Sequence, residues 1–152
     1  MIIKLLGVIW RRLPGAVRRR LVRVGQRRFT VTAGAIIFDD QGRILLLEHV
    51  FRPDSGWGIP GGFLSSAEQP EEAMRRELRE EIGIEVDDVT MVLMRTLSQI
   101  RQVEVYFRAR ALGSPHPCSF EIKQAVWFAI EDLPTELSKD QRRLIQRALE
   151  KQ

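Results

Sequence analysis

GGFLSSAEQPEEAMRRELREEIGI, residues 61–84, decides how this chain is read. Six of its 24 residues are glutamate. Pro70 suits the first turn of a helix, and Glu71 and Glu72 complement the positive end of the helix dipole. Gly83 stands where a helix ends on a left-handed residue. Between them Met74, Leu78 and Ile82 recur every four residues, which marks one buried stripe. At about 100° per residue, Glu77 and Glu81 flank that stripe one turn apart, and Glu80 lies farther round on the side of Glu77. Like charges at this spacing repel. Glu72, Arg75, Arg76 and Arg79 alternate in sign on the other side, as a solvated face does. Two readings of the glutamates stand on the helix alone. Converging carboxylates form a site for a hard cation, Mg2+ or Mn2+, or they are one more solvated charged face.

The spacing of the fixed residues goes further. Gly62, five residues, Glu68, seven residues, then Arg76-Glu77-Leu78-Arg79-Glu80-Glu81-Ile82-Gly83-Ile84 resembles the Nudix box at each of its nine specified positions. The resemblance implies a Nudix hydrolase: an α/β/α sandwich with a mixed β-sheet and a loop-helix-loop site that binds Mg2+ and cleaves a diphosphate. It further implies that Glu77 and Glu81 are the principal metal ligands, with Glu80 joining them or a bound water. The Gly61 carbonyl is a further ligand by the same resemblance, and Glu68 and Arg76 form an ion pair that holds the loop on the helix.

Of 152 residues 44% are hydrophobic and 29% charged, the balance of one ordinary globular domain. Cys118 is the single cysteine, so no intrachain disulfide can form and a reducing, cytoplasmic setting is expected. The charge is uneven. Residues 1–38 hold Lys4 and eight arginines with no acid, +9, while the other 114 residues, with fifteen basic and twenty acidic side chains, carry −5. Residues 1–27 therefore read as a basic arm and 28–152 as the hydrolase domain. In the arm Leu6, Trp10, Leu13, Val17, Leu21 and Val24 fall at helical spacing, and Pro14-Gly15 breaks the helix in two. Three readings stay open: packing on the domain or on a second subunit as a homodimer, docking on a membrane surface, and contact with nucleic acid.

Phe29–Phe38 and Arg43–Val50 read as a hairpin closed by Asp39-Asp40-Gln41-Gly42. A loop over 52–56 then enters the box. Arg52 there suits a substrate phosphate or is a surface charge. Trp57 either stacks on a base or packs. His49, at the end of an apolar strand, reads as structural. Residues 89–97 and 102–112 read as strands. In the second, Glu104, Tyr106 and Arg108 share a face that lines a substrate cleft or meets solvent. His116 and Cys118 lie in a proline-containing loop. EIKQAVWFAIEDLP resembles the segment that follows the specificity loop in Nudix proteins. By that resemblance Glu121 is an extra metal ligand or the base that activates water, with Glu104 in reserve. A strand over 125–130 and a helix opened by a capping box at Ser138-Lys139-Asp140-Gln141 close the chain.

The expected chemistry is attack of water on a diphosphate, with Glu80 or Glu121 taking the proton. No residue marker that separates the Nudix substrate classes follows the box. Nucleoside diphosphate sugars and nucleoside triphosphates are the broadest options, and the arginine-rich arm adds capped or triphosphorylated RNA as an outsider. The alternatives are a nucleotide sensor without catalysis and a membrane-peripheral hydrolase of a lipid-linked diphosphate.

Overall fold

The structure, a computed structural model, describes residues 2–52 and 56–150, with side chains from residue 7 onward. Residues 53–55 of the expected loop and the Leu6 side chain of the expected stripe lie outside that range. The elements run α1 (Ile2–Arg12), α2 (Gly15–Gly25), β1 (Thr30–Phe38), β2 (Ile44–His49), β3 (Trp57–Gly58), β4 (Gly61–Phe63), α3 (Pro70–Ile82), β5 (Glu85–Leu97), β6 (Gln102–Leu112), β7 (Ile122–Phe128), a 3-10 turn (Ile130–Asp132) and α4 (Lys139–Leu149).

The strands form one mixed sheet. Its central pair is parallel, β1 against β6 from Thr30↔Gln102 to Phe38↔Arg110. The other pairings are antiparallel. Both faces are covered, and the strand sequences show why. Along β1, Ala33, Ala35 and Ile37 face the cluster under α3, whereas Ile36 and Phe38 face the cluster under α4. Along β2, Leu45 and Leu47 take the first side, and Ile44 and Leu46 the second. Side chains alternate across a strand, so a continuous apolar run is what two covered faces require. Met74, Leu78 and Ile82 are fully buried under the sheet, as their spacing predicts. This is the α/β/α sandwich.

The expected hairpin closes only at its base. Asp39 Oδ1 accepts from the backbone N–H groups of Gln41 and Arg43, Gly42 turns at φ 73°, and Phe38 pairs with Ile44. Beyond that point β1 and β2 part, and residues 57–63 occupy the gap. β3 pairs with β2, β4 pairs with β1, and the N–H of Ala35 donates to the carbonyl of Pro60 at 3.0 Å. The loop that enters the box is thereby built into the middle of the sheet.

Two further strand boundaries and one helix cap differ from expectation. The fifth strand begins at Glu85 rather than at 89, because bulges near Asp88 (φ 50°) and Met91 keep it paired with β6. The last strand is Ile122–Phe128 rather than 125–130. Its first half is polar, and Lys123 and Gln124 are held by the Glu48 carboxylate of β2. The Ser138 hydroxyl caps α4 by accepting from the N–H of Gln141, but the Gln141 side chain does not close the box. Its Oε1 accepts instead from the N–H of Ile59 at 3.1 Å and ties α4 to the loop.

The arm breaks at Pro14 as expected. Within one chain its stripe is not covered: α2 buries none of its residues. No helix among the described residues is long and apolar enough to cross a membrane.

Candidate active site

The helix that carries the glutamates is pinned at both ends. The Gln69 side chain accepts from the backbone of Glu72, and the Glu72 carboxylate accepts from the N–H of Gln69 at 2.9 Å. Gly83 leaves the helix at φ 67°, a conformation that a side chain would strain. The turn that presents Glu77, Glu80 and Glu81 is fixed by these caps and by the buried stripe.

Arg76 organises one side of the turn. Its Nε and Nη2 donate to the two Glu68 oxygens at 2.9 and 3.0 Å, and Nη2 also donates to the carbonyl of Phe63 at 3.0 Å. Glu68 in turn accepts from the N–H of Ser65 at 2.7 Å. The Arg76 fork, helped by that amide, holds the Glu68 carboxyl below its ordinary range. Arg76 Nη1 donates to Glu77 at 2.9 Å and to Glu80 at 3.1 Å. One guanidinium thus serves three carboxylates, Glu68, Glu77 and Glu80, and this side of the turn stays net negative.

The other side is short of positive charge. Glu77 lies over Gly62, where a Cβ would stand 2.4 Å from its carboxylate. Glu81 sits deeper. Burial, then the Glu77 charge, push its carboxyl up to about 7, and Glu121 adds to the push. The N–H of Gly61 and the nearby Arg52 act against it. Glu81 Oε2 is buried without a hydrogen-bond partner. A buried carboxylate oxygen with no donor, beside two other carboxylates, is the arrangement that a hard divalent cation would complete. The donor set, all oxygen, fits Mg2+ or Mn2+ and not a soft metal. The ligands are not gathered beforehand. Among the described residues no three His, Cys, Asp or Glu side chains form a ready cluster, since Glu77 and Glu80 both turn to Arg76.

Arg52 is half-buried and packed so closely over Gly58 that a Cβ there would overlap its guanidinium. Nη1 donates to the carbonyl of Trp57 at 3.3 Å. Burial lowers its pKa, against the pull of Tyr106 and Glu81. Arg52, Gly61, Gly62, Glu104 and Tyr106 line a cavity of about 220 Å³. Glu104 there is held by Arg95 at 2.7 Å and by Gln102 at 3.2 Å. Tyr106 lies against Gly34, and burial, with Glu104, raises its hydroxyl to about 12. A larger cleft of about 540 Å³, lined by Asp39, Arg108 and Arg110 among others, contains none of the box residues.

Trp57 packs edge-on against Phe128, ring centres 5.1 Å apart, in the core under α4. His49 is lowered to about 4 by burial, then by Arg52, so it is neutral at pH 7. His116 lies against Gly83, and the N–H groups of His116 and Cys118 donate to the carbonyls of Ile82 and Glu81. The proline-containing loop thus straps the end of α3. Glu121 is exposed and anchored by its main chain, its carbonyl accepting from the N–H of Val50 at 2.8 Å. Sequence reasoning passed over Phe51 and Phe120, neighbours of Arg52 and Glu121. They are 70% and 79% exposed and meet as a T-shaped pair at 6.2 Å. The signal was an apolar side chain beside each polar candidate.

A family model described as the NUDIX domain matches residues 28–148. A MutT-like protein of Streptomyces ambofaciens is 31% identical over 113 residues, covering 72% of this chain and 70% of that protein. An RNA pyrophosphohydrolase of Ectopseudomonas mendocina is 32% identical over 103 residues, covering 57% of this chain and 64% of that protein. The crystal structure of a MutT NUDIX hydrolase from Burkholderia pseudomallei superposes with a TM-score of 0.70 at 30% identity, over 80% of this chain and 98% of that one.

Proposed function

Because the chain belongs to the Nudix hydrolase family, we propose that its glutamate cluster hydrolyses the diphosphate bond of a nucleoside diphosphate derivative with Mg2+ as cofactor. A nucleoside triphosphate or a nucleoside diphosphate sugar is the substrate, and Mn2+ can replace Mg2+. The observation that carries the reading is the buried, unpartnered oxygen of Glu81 beside Glu77 and Glu121.

Glu77 and Glu81 would hold the ion, with Glu80 and the Gly61 carbonyl as further oxygen donors. When bound, such an ion supplies Lewis-acid neutralisation of the phosphates and lowers the pKa of water. The chain's own groups do the rest. Arg52, with a single hydrogen bond to the Trp57 carbonyl among the described residues, presents its remaining N–H donors to a phosphate oxygen. Of the two candidate bases Glu121 is preferred, since Glu80 already accepts from Arg76. The Glu121 carboxylate takes the proton from the attacking water. Phe51 and Phe120 offer exposed ring faces to a nucleobase beside these groups. The cavity between Arg52 and Tyr106 receives the part of the substrate beyond the phosphates.

The test is release of phosphate and nucleotide from a panel of nucleoside triphosphates, nucleoside diphosphate sugars and a 5′-triphosphorylated RNA, with Mg2+, with Mn2+ and with chelator. Metal-dependent cleavage of one of the first two classes is expected. Tight nucleotide binding with no cleavage of any compound would replace the enzyme by a sensor.

A pH effect follows from Glu81. Its proton must leave before the oxygen can ligate, and its pKa is about 7. Mg2+ affinity should therefore fall about tenfold per unit as pH drops below that value, and level off above it. Calorimetric titrations between pH 5.5 and 8.5 check this, and an affinity flat across that range would remove Glu81 from the ligand set.

A further inference from the structure

We propose that the N-terminal arm is a membrane-surface anchor, which lays α1 and α2 on an anionic phospholipid bilayer and holds the hydrolase domain against it. On α2, Val17, Leu21 and Val24 fall within about 60° of arc. They are 41%, 53% and 82% exposed. Arg18 and Arg20 flank this stripe, where arginines can reach headgroup phosphates while their stems lie along the apolar face. The described end of α1 carries Val8, Ile9 and Trp10, also exposed, followed at once by Arg11 and Arg12. Trp10 lines a recess with Gly15, Arg19 and Val22 on the side of α2 away from the stripe, so the stripe itself carries the apolar contact. Both helices are 11 residues long, enough to lie in that interface and too short to span it.

Charge selects the occupant. Residues 1–38 carry +9 without one acid, so the surface opposite must be anionic. A second copy meeting through the stripe would bring two such arms together with no acid in either to offset them. Nucleic acid would satisfy the arginines but would leave the aliphatic stripe in water. Trp10 is the one aromatic residue in 1–28 on which a base could stack. An anionic bilayer satisfies both parts of the arm, burying the stripe and pairing the guanidinium groups.

The full chain is sedimented with vesicles of phosphatidylglycerol and phosphatidylcholine, and with phosphatidylcholine alone. Binding to the mixed vesicles should exceed binding to the neutral ones by at least about tenfold. The double variant Leu21→Glu, Val24→Glu keeps all the arginines, and the triple variant Arg18→Gln, Arg19→Gln, Arg20→Gln keeps the stripe. Each should weaken binding at least about tenfold, with an unchanged far-ultraviolet circular dichroism spectrum. Single-stranded RNA is titrated in parallel. A full chain left in the supernatant with the mixed vesicles overturns the proposal, as does a Leu21→Glu, Val24→Glu variant that pellets like the natural chain. RNA binding without vesicle binding would make the arm a nucleic-acid contact instead.

Discussion

Replacing Glu81 with glutamine should lower turnover by roughly a thousandfold or more and leave the fold intact, because it removes one ligand charge from the point where burial makes that charge count most. The same substitution has a second, less obvious consequence. The Glu81 carboxyl is raised from 4.5 to about 7 in the folded chain, so the folded state favours its protonated form. Below pH 4.5 both states hold the proton, and no penalty arises. Between 4.5 and 7 the unfolded chain releases it first, and folding becomes progressively less favourable. Above 7 the penalty is complete, about 3 kcal/mol. Glutamine carries no such penalty. Without metal, Glu81→Gln should therefore melt higher than the natural protein at pH 8 and no higher at pH 4. Paired melting curves and turnover on one preparation test both halves. An active variant would refute the catalytic role, and equal melting at pH 8 would refute the buried charge.

The second large effect concerns backbone. Gly61 adopts φ 145° where β4 meets β1, and a Cβ there would stand 2.3 Å from the carbonyl oxygen of Ala33 and 2.5 Å from Cα of Gly34. Those atoms belong to the central strand and cannot rotate away. Gly61→Ala should therefore destabilise the protein by about 3 kcal/mol or more, read as a lower denaturant midpoint. Gly62→Ala is the instructive neighbour. Its Cβ would meet the Glu77 carboxylate and not a strand. The side chain can yield, so Gly62→Ala should fold nearly as well as the natural chain yet lose activity as Glu77 is displaced. If the two variants lose stability alike, the division between a structural and a ligand-positioning glycine fails.

These two glycines also mark how far the sequence could be read. The helix that carries the glutamates was fully visible in it: a proline and acids at the start, a four-residue apolar period, and a glycine at the end that the fold places at φ 67°. The box fixed the identity of the acidic residues because its spacing is local. What escaped was decided by partners remote in sequence. Residues 57–63 enter the sheet between β1 and β2 because those strands part after one pair, which no local pattern signals. Gln141 looked like half of a capping box, but the unpaired N–H of Ile59, 82 residues away, claims its side chain. Arg52 and Trp57 were ambiguous because burial decides whether each packs or stays exposed, and burial depends on Gly58 and Phe128. Phe51, just past β2, and Phe120, just before β7, meet because those two strands pair, which their local sequences do not signal.

The most direct test of the site is a Mn2+ titration followed by electron paramagnetic resonance at pH 8, for the natural protein and for the Glu77→Gln, Glu81→Gln and Glu121→Gln variants, with turnover measured on the same samples. The natural chain should remove the free-ion signal, and Glu77→Gln and Glu81→Gln should restore it as turnover falls. A natural chain that cleaves its substrate while the free-ion signal stays unchanged would contradict a metal site built on these glutamates.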